Sequence, residues 1–257
     1  MPNRPSSTTI KVITFDLDDT LWPARPVLEQ AERETYVWFS RHAARITDQF
    51  SPPRMLQFRV ELMRNNVSLR HRISDLRKYC YQQLALASGY NHVEADDIAE
   101  RAFAVFIHWR QRVSCFDGVD TALAALSKHY LLGALTNGNA NLEKIAVGKY
   151  FDFCISAEAL NASKPDPLVF ATALQHAQEK SAGTVKPQQV VHVGDDLQAD
   201  IMGARRAGFY TVWLRQLEAR RKEKKLEADT GINPDTTIDS IDLLPKAIEQ
   251  LQTKTMH

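Results

Sequence analysis

The sequence predicts a doubly wound α/β fold, in which helices cover both faces of a parallel sheet, with a helical domain inserted after the first strand. From about residue 116 onward, short apolar segments alternate with helix-like segments, which is typical of such a sheet. The apolar segments lack strict alternation of apolar and polar residues, as expected of strands that are buried on both faces. Residues 26–112 interrupt this order, because they contain helical candidates and no convincing strand.

Five apolar segments are the predicted strands of this Rossmann-like core, because they are rich in Val, Ile, Leu and aromatic residues. They cover residues 10–15, 130–136, 153–157, 190–193 and 210–214. Helix-like stretches separate the last four strands at about residues 140–147, 166–179 and 197–206. The charged run at residues 217–228 is mixed in sign and is predicted to be a solvated surface segment.

The inserted region consists of four predicted helices. They lie at about residues 26–47, 53–65, 71–88 and 94–111. In the first of them, apolar residues that include Leu28, Ala31 and Phe39 fall at a spacing that places them on one helix face. We therefore predict a core of residues 1–24 and 113–257, and a helical domain of residues 25–112.

The composition is ordinary for a soluble globular protein and excludes several function classes. Of 257 residues, 44% are apolar and 25% are charged, and 32 Lys and Arg against 31 Asp and Glu give a net charge of +1. So small a charge creates no field that would attract nucleic acid or an anionic membrane. Three cysteines without a CxxC pair favour a reducing, cytoplasmic compartment. We expect no nucleic-acid or membrane partner, and a monomer as the default state.

An acidic cluster that contains Asp16, Asp18 and Asp19 directly follows the first predicted strand. In an open α/β sheet, ligands collect beyond the carboxyl ends of the strands. Asp16 and Asp18 point the same way in an extended segment, and two such carboxylates repel each other unless a cation or a proton lies between them. An acidic turn that caps a helix is an equally good interpretation of this motif taken alone.

Two further segments carry groups that could bind an anion. Thr136 and Asn137 follow the second predicted strand and offer a hydroxyl and turn donors, although an ordinary turn is the simpler interpretation. Lys164 lies just before a predicted helix, where its charge and the helix dipole both favour a bound anion. By itself, Lys164 is more simply interpreted as a solvated surface lysine.

More acids follow the fourth predicted strand, where Gly194 precedes Asp195, Asp196 and Asp200. Together with the first cluster they bring six carboxylates to two strand ends. Oxygen ligands of this kind suit Mg²⁺, which takes one or two carboxylates, water and substrate phosphate. Some of the six, such as Asp19 and Asp196, are expected to cap helices or orient neighbours instead. A carboxylate magnesium site, an anion-binding hydroxyl and a lysine together predict a pocket for phosphoryl transfer.

These residues, in this order, resemble the four motifs of the haloacid dehalogenase superfamily of phosphohydrolases. The matching segments are residues 16–20, the turn at Thr136, Lys164 and residues 194–200. The helical insert resembles the C1-type cap domain of that family, and the resemblance spans nearly the whole chain. The segments 13–22, 25–27, 135–140, 163–165 and 192–196 are similar to the bacterial YigB-type subgroup. Members of that subgroup dephosphorylate flavin mononucleotide (FMN) and the riboflavin-pathway intermediate 5-amino-6-(5-phospho-D-ribitylamino)uracil.

The resemblance implies a Mg²⁺-dependent phosphomonoester hydrolase and assigns roles to individual residues. Asp16 would be the nucleophile that forms an aspartyl-phosphate, and Asp18 would protonate the leaving alcohol and then deprotonate the attacking water. Mg²⁺ would be held by Asp16, the main-chain carbonyl of Asp18, and Asp195. Catalytic Lys164 would bind the phosphoryl oxygens together with Thr136 and the Asn137 amide. Asp196 and Asp200 would support the site. Trp22 and Arg25 would contact the substrate on the side of the insert.

Several alternatives stay open at this point. Trp22 could stack on an aromatic substrate or simply pack at the junction with the insert. Phosphatases of sugar phosphates or other small metabolites, and phosphomutases, use the same motifs. Halide-displacing members of the family need no metal and replace the second aspartate of the first motif, so Asp18 argues against that activity. A non-catalytic regulator that binds a phosphorylated metabolite is less favoured, because no motif residue is missing.

Overall fold

The computed structural model describes residues 9–181, 183–215 and 231–255. The chain divides into two compact units, of which the first comprises Met1–Pro23, Ser114–Gly138 and Leu142–His257. The second comprises Ala24–Val113 and Asn139–Asn141. The short segment 139–141 belongs to the second unit, which the sequence did not indicate. The charged run at 217–228 lies outside the described residues.

A parallel sheet of six strands forms the centre of the first unit. Its strands are β1 (Val12–Phe15), β2 (Leu131–Thr136), β3 (Phe153–Ser156), β4 (Val190–Gly194), β5 (Tyr210–Leu214) and β6 (Thr236–Ile238). Their order across the sheet is β3-β2-β1-β4-β5-β6, and every neighbouring pair is parallel. β1, β4 and β5 are buried along their whole length, which explains their continuous apolar sequences. The predicted doubly wound sheet is confirmed.

Five α-helices make up most of the second unit, so the predicted helical insert is also confirmed. They are α1 (Ala24–His42), α2 (Ala44–Gln49), α3 (Pro52–Asn65), α4 (Ile73–Ala87) and α5 (His92–Arg110). The buried face of α1 includes Val27, Ala31 and Phe39, at helical spacing, whereas Leu28 is only partly buried. The start of α5 is set by a capping box, in which the Asn91 and Glu94 side chains each accept from the other's main-chain N–H.

The helices of the first unit lie between the strands along the chain, and the last one follows β6. They are α6 (Val119–Leu126), α7 (Ala157–Leu160), α8 (Pro167–Lys180), α9 (Gly203–Arg206) and α10 (Leu244–Thr255), with a π-helical segment at Leu197–Met202. Phe170 of α8 and Phe209 pack edge to face in a core that also contains Val190 of β4. None of the helices in the described parts of the chain combines the length and the apolar character that crossing a membrane requires.

Several elements differ from the sequence prediction. The strand β6 and the helices α6, α7 and α10 were not predicted, and the predicted insert helix at 26–47 is divided into α1 and α2. A strand of three residues such as β6 shows no periodicity and is recognisable only through its pairing with β5. The predicted helix at 140–147 consists of two short 3-10 turns, Leu142–Lys144 and Ala146–Tyr150. None of these differences lies at the strand ends that carry the predicted site.

Candidate active site

The carboxyl ends of three adjacent strands bring the predicted site residues together. Asp16 directly follows β1, Thr136 ends β2, and Asp195 directly follows β4. β1 pairs with β2 on one side and with β4 on the other, so these three strand ends meet at the ligand-binding edge of the sheet. A cavity of about 230 Å³ opens there, and its lining includes all six predicted carboxylates together with Thr136, Asn137 and Lys164.

Lys164 brings a buried positive charge into this cavity from the loop before α8. Its Nζ lies 2.6 Å from Oδ1 of Asp16 and 2.7 Å from Oδ1 of Asp200, and its side chain is 1% exposed. The Asn137 side chain holds this loop, because its Oδ1 accepts from the Lys164 main-chain N–H at 2.9 Å and its Nδ2 donates to the Lys164 carbonyl at 3.1 Å. The side-chain amide of Asn137 is therefore engaged with Lys164, and the main-chain amide is the group suited to the predicted phosphate contact.

The hydroxyl of Thr136 is held in place by the turn that follows β2. Its Oγ1 accepts from the main-chain N–H of Gly138 at 2.9 Å, and the residue is almost completely buried. A hydroxyl that accepts one hydrogen bond still has its own proton to donate. The Thr136 hydroxyl therefore keeps a proton that it could donate to an anion in the cavity, and this donation stays a prediction.

Asp200 is bound from three directions, and its position explains the glycine at the end of β4. Its Oδ1 pairs with Lys164 and lies 3.1 Å from Nε2 of His192, while Oδ2 accepts from the main-chain N–H of Asp196 at 3.1 Å. A Cβ on Gly194 would lie 2.3 Å from Cγ of Asp200. Only glycine at position 194 therefore allows the Asp200 side chain to approach the strand this closely.

His192 and Thr14 were not among the predicted site residues, yet they orient Asp200. Burial lowers the pKa of His192 despite the neighbouring Asp200 charge, so the ring is neutral. A neutral ring that donates from Nε2 to Asp200 accepts at Nδ1, where the Thr14 hydroxyl lies 2.9 Å away. Both residues lie inside apolar strand sequences, and no local pattern marks such a role.

The carboxyl groups of the site differ in pKa because they differ in partners. Burial raises the pKa of Asp16 to about 7, although the Lys164 charge partly opposes it. Burial, and then the Asp16 charge, raise the pKa of Asp195 to about 8. Burial also acts on Asp200, but Lys164 and His192 hold its pKa well below the usual range. Burial would lower the pKa of Lys164, but Asp16 and Asp200 raise it above its ordinary value.

This donor set fits a divalent cation that prefers oxygen ligands. One carboxylate oxygen from each of Asp16, Asp195 and Asp200 lies within 4.8 Å of the others. The raised pKa values of Asp16 and Asp195 mean that negative charge on these two carboxylates is unfavourable, and a bound proton or cation would neutralise it. Asp200 already binds Lys164 and His192, so Asp16 and Asp195 are better suited to a hard cation such as Mg²⁺. The contacts of Asp200 are compatible with the bracing role given to it in the sequence analysis, which stays a prediction.

The two neighbouring acids after β4 have different surroundings. Asp195 lines the cavity, its Oδ1 accepts from the Thr20 hydroxyl at 3.1 Å, and its main-chain carbonyl accepts from Nε1 of Trp213 at 2.8 Å. Asp196 caps the π-helical segment, since its Oδ1 accepts from the main-chain N–H groups of Gln198 and Ala199 at 2.7 Å each. Asp196 is thus a helix cap, one of the two roles expected for it.

Trp22 is not available to stack on a substrate, and this part of the sequence prediction is wrong. Its side chain is fully buried, and its indole Nε1 donates to Oδ1 of Asp18 at 2.8 Å. An enclosed ring cannot present its face to a ligand, so packing, the alternative interpretation, fits better. Arg25 lies at the start of α1 with its side chain 88% exposed, and pairs with Glu29 at 2.8 Å. Its predicted contact with substrate stays a prediction.

A larger cavity, of about 410 Å³, lies within the second unit among α1, α3 and α4. Its walls include Tyr36, Met55 and Leu84, and it contains none of the predicted catalytic residues. The smaller cavity is the better candidate for the active site, because carboxylates with shifted pKa values and a buried lysine converge there.

Comparisons with known proteins find similarity along most of the chain. The family model for haloacid dehalogenase-like hydrolases matches residues 10–208. The chain is 32% identical, over 206 residues, to the 5-amino-6-(5-phospho-D-ribitylamino)uracil phosphatase YigB of Escherichia coli (strain K12), an alignment that covers 80% of this chain and 84% of that protein. It is 26% identical, over 240 residues, to the glyceraldehyde 3-phosphate phosphatase of Methanopyrus kandleri, which covers 90% of this chain and 93% of that protein.

A solved structure is also similar along most of the chain. It is described as a 2-haloacid dehalogenase from Pseudomonas syringae pv. Tomato DC3000 and superimposes with a TM-score of 0.83. The two chains are 34% identical, and the match covers 94% of this chain and 99% of the other. The site residues described above lie within the stretch that matches the family model.

Proposed function

Because the chain belongs to the family of haloacid dehalogenase-like hydrolases and is similar to named phosphatases, we propose that it hydrolyses phosphomonoesters with Mg²⁺ through an aspartyl-phosphate intermediate. The observation that carries this proposal is the convergence of Asp16, Asp195 and Lys164 at one edge of the sheet. A nucleophilic carboxylate, a cation site and a buried ammonium are the groups that phosphoryl transfer requires.

In the first step of the proposed reaction, Asp16 attacks phosphorus and the bond to the ester oxygen breaks. Lys164 binds Oδ1 of Asp16, and within the described residues Oδ2 has no hydrogen-bond partner, so Oδ2 is suited to attack. Asp18 gives its proton to the departing alcohol oxygen. In the second step, water attacks phosphorus, the aspartyl–phosphorus bond breaks, and the water proton passes to Asp18.

The remaining residues would bind the phosphoryl oxygens and the metal. Thr136, the main-chain amide of Asn137, and Lys164 would donate to these oxygens, whose charge grows in the transition state. Asp16, Asp195 and the main-chain carbonyl of Asp18 would hold Mg²⁺. When bound, Mg²⁺ would supply positive charge that offsets the charge of the phosphoryl group and of the surrounding carboxylates.

Adding Mg²⁺ to EDTA-treated protein is expected to raise its Tm, and to raise it more at pH 8 than at pH 5.5. The raised pKa values of Asp16 and Asp195 mean that the metal-free folded state binds more protons than the unfolded chain between about pH 4 and pH 8. Its stability therefore falls as pH rises through that window. At pH 8 the cation replaces those protons, whereas at pH 5.5 it must displace them.

The increment at pH 8 should be roughly 5–10 °C at a Mg²⁺ concentration of 100 times Kd. Comparing samples with and without Mg²⁺ at each pH cancels the contribution of groups remote from the cation. Asp195→Asn should lose most of the increment. An increment of equal size at both pH values would contradict cation binding by Asp16 and Asp195.

We further propose that the substrate is FMN or 5-amino-6-(5-phospho-D-ribitylamino)uracil. The similarity to the phosphatase YigB, which covers most of both chains, supports this choice. The similarity to glyceraldehyde 3-phosphate phosphatases supports small sugar phosphates as the second candidate. The likeness to a structure described as a 2-haloacid dehalogenase raises halide displacement as a third. Asp18 and the cation site argue against it, because a departing halide needs neither a proton donor nor a metal.

In a comparison of kcat/KM, FMN and the ribitylaminouracil phosphate are expected to exceed glyceraldehyde 3-phosphate and hexose phosphates. The assay measures phosphate release with Mg²⁺ and with EDTA, and a parallel assay measures halide release from 2-chloropropionate. A hundredfold preference for a sugar phosphate, about 2.7 kcal/mol of transition-state binding, would reject the riboflavin-pathway substrates but keep the chemistry. Halide release without Mg²⁺ would overturn the phosphatase proposal.

A further inference from the structure

The loop after β1 folds back on itself and places Trp22 beside Asp18. The main-chain N–H of Asp19 donates to the Trp22 carbonyl at 2.7 Å, and Asp18 and Trp22 form an isolated β-bridge. The Trp22 side chain is fully buried, and its Nε1 donates to Oδ1 of Asp18 at 2.8 Å. Trp22 is thus fixed both by its main chain and by its packing, and it meets a carboxylate that lines the active-site cavity.

We infer that Trp22 is a positioning residue, whose indole N–H holds the Asp18 carboxyl group in the orientation that proton transfer requires. This inference rests on the role proposed above for Asp18. An indole N–H can donate but cannot accept, so Oδ1 of Asp18 acts as its acceptor throughout the reaction. The proton that Asp18 transfers is therefore carried on Oδ2.

The proton balance of the two steps explains why this orientation matters. In the first step the Oδ2 proton moves to the ester oxygen as its bond to phosphorus breaks. In the second step the same Oδ2 takes a proton from the water that attacks the aspartyl-phosphate. Before the first step, a carboxyl group that is free to rotate could carry its proton on the oxygen that points away from the ester oxygen, and the proton would then be out of reach. A small misplacement of a catalytic group can lower the rate by about 100-fold.

The rate of ester cleavage depends more strongly on proton donation when the leaving group is more basic. A loss of rate that depends on the leaving group therefore distinguishes positioning of Asp18 by Trp22 from packing alone. The oxygen of an alkyl ester leaves only when it receives a proton and departs as the alcohol, whereas 4-nitrophenolate leaves without a proton. The value of kcat/KM reports the steps up to departure of the leaving group, so it isolates the donor role of Asp18. Loss of a packing contact would disturb the site equally for both kinds of ester.

The experiment measures kcat/KM of Trp22→Phe for an alkyl phosphate, such as FMN, and for 4-nitrophenyl phosphate. Phenylalanine keeps an aromatic ring in the buried position and removes the N–H. We expect a loss of about 10-fold or more for the alkyl ester, and of less than about 3-fold for the 4-nitrophenyl ester. Equal losses for the two esters, or no loss for either, would overturn the inference. If Trp22→Phe does not fold, benzothienylalanine at position 22 tests the same point, because it replaces only the N–H with sulfur.

Trp213→Phe is the matched control. Trp213 is also fully buried, and its indole donates at 2.8 Å, but to the main-chain carbonyl of Asp195. Its replacement should lower kcat/KM for the two esters by the same factor. Asp18→Asn separates the two hypotheses. If Asp18→Asn shows no dependence on the leaving group, the proposed role of Asp18 fails. If the loss in Asp18→Asn depends on the leaving group but the loss in Trp22→Phe does not, the positioning role of Trp22 fails and the proposed role of Asp18 stands.

Discussion

Asp16→Asn should lose phosphatase turnover by roughly 10⁴-fold or more, for every phosphomonoester, while the protein stays folded. An amide cannot form the aspartyl-phosphate, so no choice of leaving group restores the rate. The fold should persist, because the amide oxygen still accepts from Nζ of Lys164, which also keeps Asp200 as a partner. Steady-state phosphate release and thermal unfolding in EDTA are the two measurements.

The same substitution should leave the metal-free protein at least as stable as the wild type at pH 8. Burial raises the pKa of Asp16 to about 7, which means that its charged form costs stability in the folded state above that pH. Asp166→Asn is a matched control, since Asp166 caps α8 and asparagine caps helices equally well. Turnover of Asp16→Asn within 100-fold of the wild type, reproduced by Asp16→Ala, would exclude Asp16 as the nucleophile.

Lys164→Met should be the most destabilising substitution in the site, at about 3–5 kcal/mol of unfolding free energy at pH 8. The lysine is buried between Asp16 and Asp200 at 2.6 and 2.7 Å, and methionine leaves both carboxylates without their cation. Turnover should also be lost, because Lys164 is one of the proposed phosphate ligands. Urea unfolding monitored by fluorescence measures the free energy directly.

Two further variants show whether this loss comes from uncompensated charge. Adding Asp200→Asn to Lys164→Met should recover part of the stability, because one of the two orphaned charges is removed. Lys78→Met is the surface control, since Lys78 pairs with Glu100 at 2.8 Å but both side chains are partly exposed, and it should cost about 1 kcal/mol or less. A loss below 1 kcal/mol for Lys164→Met would contradict the buried ion-pair cluster.

Most of the sheet was predictable because its strands are buried on both faces. Five of the six strands have continuous apolar sequences, and their predicted positions agree with the structure to within two residues at each end. β6 escaped prediction because three residues, Thr236–Ile238, have no local signature and form a strand only by pairing with β5. The insert was likewise recognisable by its helical periodicity and the absence of a strand pattern.

Single side chains were harder to place than strands. Trp22 and Asp18 are four residues apart, and nothing in that spacing indicates that the indole donates to the carboxylate instead of facing a substrate. His192 lies inside an apolar strand sequence that carries no mark of a site residue, and its buried ring lies between Thr14 and Asp200. In each case the outcome depends on which way a side chain turns, and the periodicity of the chain carries no information about that.

The order of the motifs was sufficient to indicate the strand ends and the acidic cavity, because each motif is a local pattern next to a strand. Which partners each of the six carboxylates has is determined only by the folded structure. Lys164 is 148 residues from Asp16 in the sequence, and it pairs with Asp16 and Asp200 but not with Asp195. Charge and pKa depend on distances between atoms and on burial, and those quantities exist only in three dimensions.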